Sequence, residues 1–261
     1  MASPQLDARW RVLATVARTL RAVFGWRIRV DGLEHVPLQG GAVLAFNHHS
    51  HADFVMVGWA TVVERRRPLR FVGKREVWDS RWVGWLPRLY DQIPVDRGSA
   101  SGRAAAFDVA VDALRGGHLV AVAPEQTISA SFELLPFRHG AARMARRAGV
   151  PIIPVVGWGT QRFSTKGIPL RLRRRLPVTV RFGPPVTVGP DDDPAAATAR
   201  LRATMAAMLD VAIRAYPDGT PPGVPWLPAR YGGGAPTHDE VLEHHRRRTR
   251  RDWMQDLDAS T

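Results

Sequence analysis

Short apolar runs alternate with longer segments of helical periodicity along most of the chain. The runs that predict strands are "RIRV", "AVLAF", "LRFV", "IPV", "LVAV", "PIIPVV" and "VTVRF", and "VTV" at 186–188 is a further candidate. Helical spacing of apolar residues predicts helices at about 51–64, 101–115, 140–148 and 194–215. Strands that alternate with helices are typical of a parallel sheet covered by helices. The sequence therefore predicts an α/β fold, a single sandwich domain around a largely parallel β-sheet.

Two segments lie outside this alternation. Residues 8–26 are amphipathic, with tryptophans near both ends and arginines on the polar side, which favours a helix lying in a membrane interface; a helix that only covers the core is the alternative. Residues 217–236 are rich in proline and glycine, and Thr237 with Glu240 predicts a capped last helix containing "HHRRRTRR". The predicted organisation is residues 1–27, an amphipathic membrane-interface helix; 28–216, the main domain; and 217–261, a Pro/Gly strap and basic C-terminal helix.

Composition narrows the partners and the chemistry. The formal net charge is +13, from 35 Arg and 2 Lys against 24 acidic residues, so phosphate-bearing partners are expected. The arginines are dispersed without a nucleic-acid motif, which favours an anionic membrane surface and no nucleic acid. There is no cysteine, which excludes disulfides and thiol catalysis. No run of 18 apolar residues is present and the N-terminus is a poor signal peptide, so a peripheral membrane location is expected.

Three of the nine histidines cluster in "AFNHHSHADF" at residues 45–54. Taken as His49-x-His51-x-Asp53, the stretch resembles the H-x-H-x-D-H signature of metallo-β-lactamase-like hydrolases. Phe54 stands where that family has its last metal-ligating histidine. A catalytic zinc needs about three protein ligands, and the other histidines do not follow strands as that family's ligands do. A hydrolase of this type is an alternative with little support.

Shifted by one residue, the same stretch becomes Asn47-His48-x4-Asp53, and three further blocks follow it. These are "QIPVDR" with Arg97, "VAPEQT" with Glu125, Gln126 and Thr127, and the apolar "GVPIIPV". Four blocks in this order resemble the PlsC-type glycerolipid acyltransferases, the 1-acyl-sn-glycerol-3-phosphate acyltransferase family, over about residues 28–190. The resemblance implies transfer of a fatty acyl group from acyl-CoA to the free hydroxyl of 1-acylglycerol 3-phosphate, giving phosphatidic acid.

The resemblance also implies roles for the residues. His48 would act as general base on the acceptor hydroxyl, while Asp53 fixes the imidazole tautomer and stabilises the imidazolium. The substrate-binding positions that it implies are Lys74, Arg97, Glu125, Gln126 and Thr127, with Arg97 on the substrate phosphate. No metal and no cofactor are expected, with acyl-CoA as co-substrate, at the cytoplasmic face of the cell membrane. Other acceptors (glycerol 3-phosphate, another lysophospholipid or a glycolipid), the donor carrier and the oligomeric state stay open.

The third block departs from the family at two positions. Gln126 replaces the usual glycine, and Ile128 stands where the family often has an arginine that contacts phosphate. The missing contact has three candidate replacements, Lys74, Arg162 and Lys166. The tryptophans from Trp78 to Trp85 fit an acyl tunnel, the membrane interface or the core equally well.

Overall fold

The computed structural model describes residues 6–166, 170–244 and 246–247. One seven-stranded sheet lies at the centre, with helices on both faces. Its strands are β1 (Arg27–Asp31), β2 (Ala42–Phe46), β3 (Leu69–Lys74), β4 (Ile93–Val95), β5 (Leu119–Val122), β6 (Ile152–Trp158) and β7 (Pro177–Phe182). The strand order is β1-β7-β6-β2-β5-β3-β4. Strands β2 to β6 are parallel, whereas β7 is antiparallel to β6 and carries β1 parallel to itself. The predicted α/β fold with a largely parallel sheet is confirmed.

The helices are α1 (Ala8–Phe24), α2 (Asp53–Gly58), α3 (Trp85–Leu89), α4 (Ala100–Arg115), α5 (Gly140–Ala148) and α6 (Pro194–Arg214). Helix α2 continues as a π-helix over Trp59–Glu64. A final helical segment begins at residue 238, and Thr237 and Glu240 form the expected capping box, in which each backbone N–H meets the other's side chain. Most of the predicted basic run "HHRRRTRR" lies outside the described residues.

Alternating side chains of the strands supply two separate cores. Val43 and Ala45 of β2 face the layer made by α4, α5 and α6. Leu44 and Phe46 face the opposite layer, where α2 covers the sheet. Since successive side chains of a strand point to opposite faces, a strand buried on both faces must be apolar throughout, as β2 is. The turn that carries the histidine cluster therefore starts from a strand that is buried on both faces.

Helix α1 lies outside the α2 layer. Its Trp10 and Ala14 pack with Trp59, Val63 and the ring of Tyr90 in a third, smaller apolar cluster. Asp7 caps the helix by accepting from the backbone N–H of Trp10 at 3.2 Å. Only one side of the helix is used in this packing, so its remaining apolar residues face outward.

Two details differ from the sequence expectation. The helix expected at about 51–64 begins at Asp53, and the hydroxyl of Ser50, which precedes it, lies against the carbonyl oxygens of Thr160 and Ser164 and accepts the N–H of Ala52. The candidate strand at 186–188 is reduced to one bridge between Val186 and Ile152. Among the described residues, no helix has the length and hydropathy needed to cross a membrane.

Candidate active site

The turn between β2 and α2 brings the two predicted catalytic side chains together. His48 follows the end of β2 by two residues, and Asp53 is the first residue of α2. His48 Nδ1 lies 3.1 Å from Asp53 Oδ2. This contact is the one expected from the five-residue spacing, and it sits at the carboxyl ends of the parallel strands, where ligands of such sheets bind.

Asp53 is buried and its carboxylate is held from several sides. Oδ2 accepts the backbone N–H groups of His49 and Ser50, each at 2.8 Å, in addition to its contact with His48. Oδ1 accepts the hydroxyl of Thr160 at 2.6 Å. These donors fix the orientation of the carboxylate. Thr160 follows β6 and was not expected, because no local pattern connects it with a motif more than 100 residues earlier.

His48 lies against two phenylalanine rings at this turn. Its ring packs edge-on against Phe54, with ring centres 5.3 Å apart, and against Phe46 at 6.1 Å. Its side chain keeps 12% of its surface exposed, whereas that of Asp53 keeps 1%. An Nδ1–H directed at a carboxylate leaves Nε2 as the proton acceptor. This is the arrangement that the predicted general base requires, with a ring that is mostly buried and keeps part of its surface accessible.

Glu125 is placed behind His48. It is buried, and its two oxygens accept the backbone N–H groups of His48 and Leu135, each at 2.8 Å. Burial raises the pKa of Glu125 to about 8, against the opposing effect of the two backbone N–H donors. Each carboxylate oxygen thus accepts one backbone N–H, and the side chain joins the His48 turn to the 125–135 loop. Direct substrate contact by Glu125 stays a prediction.

The other two histidines of the cluster have different environments. His49 is fully buried against Trp158 and Phe132, with its Nδ1 3.0 Å from Asn47 Nδ2, and burial lowers its pKa to about 4. His51 is exposed at the turn. In the described part of the chain, no group of three or more His, Asp or Glu side chains is arranged to hold a metal ion. This geometry gives the metallo-β-lactamase-like alternative no support.

Asn47 connects the same turn to β6. Its Oδ1 accepts the N–H of Gly157 at 2.7 Å, and its Nδ2 donates to the carbonyl of Gly157 at 3.0 Å. An asparagine is needed for this pairing because only an amide offers a donor and an acceptor side by side. The backbone before His48 is thereby locked to the neighbouring strand.

The second and third blocks meet at the same end of the sheet. Arg97 Nη1 donates to the carbonyl of Gln126 at 2.6 Å, so the arginine lies one residue from Glu125. Gln126 has φ +59°, the left-handed region that glycine adopts most readily, so the family's glycine position keeps its backbone shape here despite the side chain. Thr127 is partly exposed beside it.

Ile128 is buried, so this position contributes packing and not a phosphate contact. Among the candidate replacements, Lys74 is exposed at the end of β3, opposite Val95 and two residues from Arg97 across the strand pair. Arg162 is engaged elsewhere: it pairs with Asp218 and lies over the ring of Trp226. Lys166 is exposed. Lys74 is thus the candidate nearest to Arg97 in the strand register.

Comparison with known proteins shows which family the chain belongs to. The family described as Acyltransferase matches residues 27–158, about half of the chain and all four blocks. The chain belongs to this family. It is 32% identical over 202 residues to the 1-acyl-sn-glycerol-3-phosphate acyltransferase alpha of Homo sapiens, covering 75% of this chain and 68% of that protein.

Two further similarities agree with this membership. The 1-acyl-sn-glycerol-3-phosphate acyltransferase of Limnanthes douglasii is 30% identical over 167 residues, which are 63% of this chain and 56% of that protein, so the chain spans little more than half of this relative. The crystal structure of PlsC, the 1-acyl-sn-glycerophosphate acyltransferase of Thermotoga maritima, superimposes with a TM-score of 0.60 at 20% identity and covers 77% of this chain and 78% of that one. The acyltransferase fold is therefore shared well beyond the motifs.

Proposed function

We propose that this acyltransferase moves a fatty acyl group from acyl-CoA to the free hydroxyl of 1-acylglycerol 3-phosphate and forms phosphatidic acid. The observation that carries the proposal is the contact between His48 and Asp53 at the strand ends, within a chain whose relatives are named for this reaction. Because the chain covers little more than half of some relatives, the activity is proposed from its own residues as well as from theirs.

The reaction needs one proton to move as the new bond forms. His48 Nε2 takes the proton of the acceptor hydroxyl while the hydroxyl oxygen attacks the thioester carbonyl carbon. The carbon–sulfur bond then breaks, and the proton held on Nε2 passes to the departing thiolate. Asp53 stabilises the imidazolium formed between these steps, because its carboxylate faces Nδ1. The balance requires no acyl-enzyme, no metal and no cofactor beyond the acyl-CoA co-substrate.

The acceptor phosphate is assigned to the Arg97 corner. A guanidinium binds a phosphate through two parallel charge-assisted hydrogen bonds, and Lys74 supplies a second cation at the end of the adjacent strand. Gln126 and Thr127 line the same corner, with Gln126 holding Arg97 through its carbonyl. With Ile128 buried, phosphate binding depends on fewer arginines than in relatives that have one there.

The presence of Ile128 at the family's arginine position bears on which acceptor the chain uses. An acceptor with its charge placed differently, such as glycerol 3-phosphate, another lysophospholipid or a glycolipid, would meet a corner that lacks this cation, because the buried Ile128 stands at that position.

The proposed location is the cytoplasmic face of the cell membrane, where an anionic surface holds the protein peripherally. A net charge of +13 favours this location.

The deciding experiment incubates the purified chain with labelled palmitoyl-CoA, or with the same acyl group on acyl carrier protein, and with each acceptor in turn. We expect labelled phosphatidic acid from 1-acylglycerol 3-phosphate with acyl-CoA as donor, and no loss of activity on chelation. If no acyl group is transferred to any lysolipid or to glycerol 3-phosphate, the proposal is refuted. Activity that disappears with EDTA and returns with zinc would restore the hydrolase alternative.

A further inference from the structure

A cluster of exposed apolar side chains follows β3 at residues 82–89, here called the tryptophan turn. Trp82 is 81% exposed and Trp85 60%, and Leu86 and Leu89 are each more than 40% exposed. Tryptophan is usually largely buried in folded proteins, so two such rings within four residues mark an interaction surface. The core alternative for these two tryptophans is therefore wrong, whereas Trp78 is buried.

Helix α1 carries a second exposed apolar surface. Residues spaced by four, four and three positions share one side of a helix, and here these are Val12, Val16, Leu20 and Val23. All four are between 43% and 61% exposed. They form a stripe, the α1 stripe, beside the residues that pack on the protein.

The two surfaces are fastened to each other. Arg9 lies three residues before Val12, on the side of the helix that carries the α1 stripe, and it donates to the carbonyl of Leu89 and to Asp91 Oδ2. The rings of Trp10 and Tyr90 pack with centres 4.7 Å apart, and the Tyr90 hydroxyl donates to the carbonyl of Arg9 at 3.1 Å. The end of the tryptophan turn is therefore held against the start of α1, on the flank where the stripe runs.

The chemistry of this joint surface matches the boundary of an anionic bilayer. Indole rings favour the zone between head groups and acyl chains, and arginine keeps its charge in water while its stem lies on apolar surface. Both kinds of residue occur here: Arg81, just before the turn, lies over the ring of Trp82 at 5.9 Å, and Arg88 is exposed beside Leu89. The formal net charge of +13 favours an anionic membrane surface as the occupant.

We propose that the tryptophan turn and the α1 stripe together form one surface that inserts into the interface of an anionic bilayer, so that α1 is not the whole anchor. The proposal rests on the proposed membrane location but not on the reaction.

The chain has no cysteine, so single cysteines can carry an environment-sensitive fluorophore on the full-length protein. We expect labels at Leu86→Cys and Leu20→Cys to shift to the blue and resist aqueous quenchers on vesicles of phosphatidylglycerol and phosphatidylcholine. Labels at Val109→Cys on α4 and Val211→Cys on α6, which are similarly exposed on the opposite layer, should not respond. A label at residue 86 that stays in water while the chain sediments with vesicles would overturn the proposal.

A pair of matched double variants tests the energetics. Trp82→Ser with Trp85→Ser should lower the vesicle partition coefficient about tenfold or more at both low and high salt, because apolar insertion is not screened. Val109→Ser with Val211→Ser should leave it unchanged, and both should melt like the unsubstituted chain. Equal vesicle binding by both double variants would contradict the proposal. If the fluorescence of the label at residue 86 instead changes with protein concentration in the absence of lipid, a second copy of the chain covers the surface and the proposal is also wrong.

The reaction is measured separately with short-chain, water-soluble donor and acceptor. Both double variants should turn these substrates over at the rate of the unsubstituted chain, while the tryptophan variant is slower on bilayer substrate. If the unsubstituted chain transfers nothing, the proposed reaction fails and the vesicle results still stand. If it transfers normally but no variant alters vesicle binding, the proposed surface fails and the reaction stands.

Discussion

The change of Asp53 to asparagine separates the charge of this residue from its shape. In the structure Oδ2 accepts three N–H groups, and Oδ1 accepts the hydroxyl of Thr160. An asparagine can keep its oxygen at the Oδ2 position and turn its amide nitrogen to Thr160, whose hydroxyl accepts as well as it donates. We therefore expect Asp53→Asn to fold normally and to preserve the imidazole tautomer, while Asp53→Ala leaves buried N–H groups without partners.

The expected loss in rate follows from the distance. His48 Nδ1 is 3.1 Å from Oδ2, which places the centre of an imidazolium charge about 4 Å from the carboxylate. At an effective dielectric constant of about 20 this attraction is about 4 kcal/mol. The neutral amide recovers about 1 kcal/mol as a hydrogen-bond acceptor. The remaining deficit of about 3 kcal/mol corresponds to a fall in kcat of about 10²-fold.

The assay follows release of the CoA thiol under saturating substrate, alongside thermal melts of each variant. We expect Asp53→Asn to keep KM and Tm close to those of the unsubstituted chain, and Asp53→Ala to lose about 1–3 kcal/mol of stability for each orphaned donor. An Asp53→Asn variant that retains more than half of the turnover would refute the assigned role of the charge. A large loss of Tm in Asp53→Asn would show that the Thr160 hydroxyl does not turn to accept from the new amide nitrogen.

Three further predictions concern the surrounding residues. His48→Ala should lower kcat about 10²–10⁴-fold while the exposed control His51→Ala retains it, and His49→Ala should act on stability, losing about 2–4 kcal/mol in urea titrations because a buried, hydrogen-bonded ring is removed. Arg97→Ala should raise KM for 1-acylglycerol 3-phosphate about 10–100-fold, with Arg97→Lys recovering part of it; an unchanged KM would remove Arg97 from the phosphate site. Since burial raises the pKa of Glu125 from 4.5 to about 8, the unfolded state binds fewer protons in this interval, and the free energy of unfolding should fall as pH rises through it. Glu125→Gln should lose this pH dependence and, having one acceptor for two N–H groups, about 1–3 kcal/mol of stability. Urea titrations at pH 5 and pH 8 measure the free energy of unfolding of both proteins. An equal change between the two pH values in the variant and in the unsubstituted chain would contradict the assignment.

The local parts of the site were predictable from the sequence. His48 and Asp53 are five residues apart across a strand end and a helix start, so their meeting depends on a single turn. The strand that precedes them is recognisable because all five of its residues are apolar. The order of the later blocks likewise placed Arg97 and Gln126 at strand ends, where the structure brings them into contact.

What the sequence could not supply are the partners that depend on strand order. Thr160 reaches Asp53, and Gly157 pairs with Asn47, because β6 lies beside β2 in the sheet. The partners of Glu125 are backbone N–H groups, which every residue except proline offers, so no pattern of side chains could reveal that it joins two loops. The reversed direction of β7 likewise left no signal in its apolar pattern.

The contact between Thr160 and Asp53 has a consequence for how the chain becomes an enzyme. The two residues are separated by 107 positions, and β6, which precedes Thr160, fits between β2 and β7. Closing so long a segment carries an entropic cost that is recovered only when the central strand docks. A growing chain that has left the ribosome as far as α5 therefore contains the whole histidine motif but lacks Thr160, which holds the second oxygen of its carboxylate. Catalytic competence should be acquired late in synthesis, and turnover is then a sensitive report that the sheet is complete.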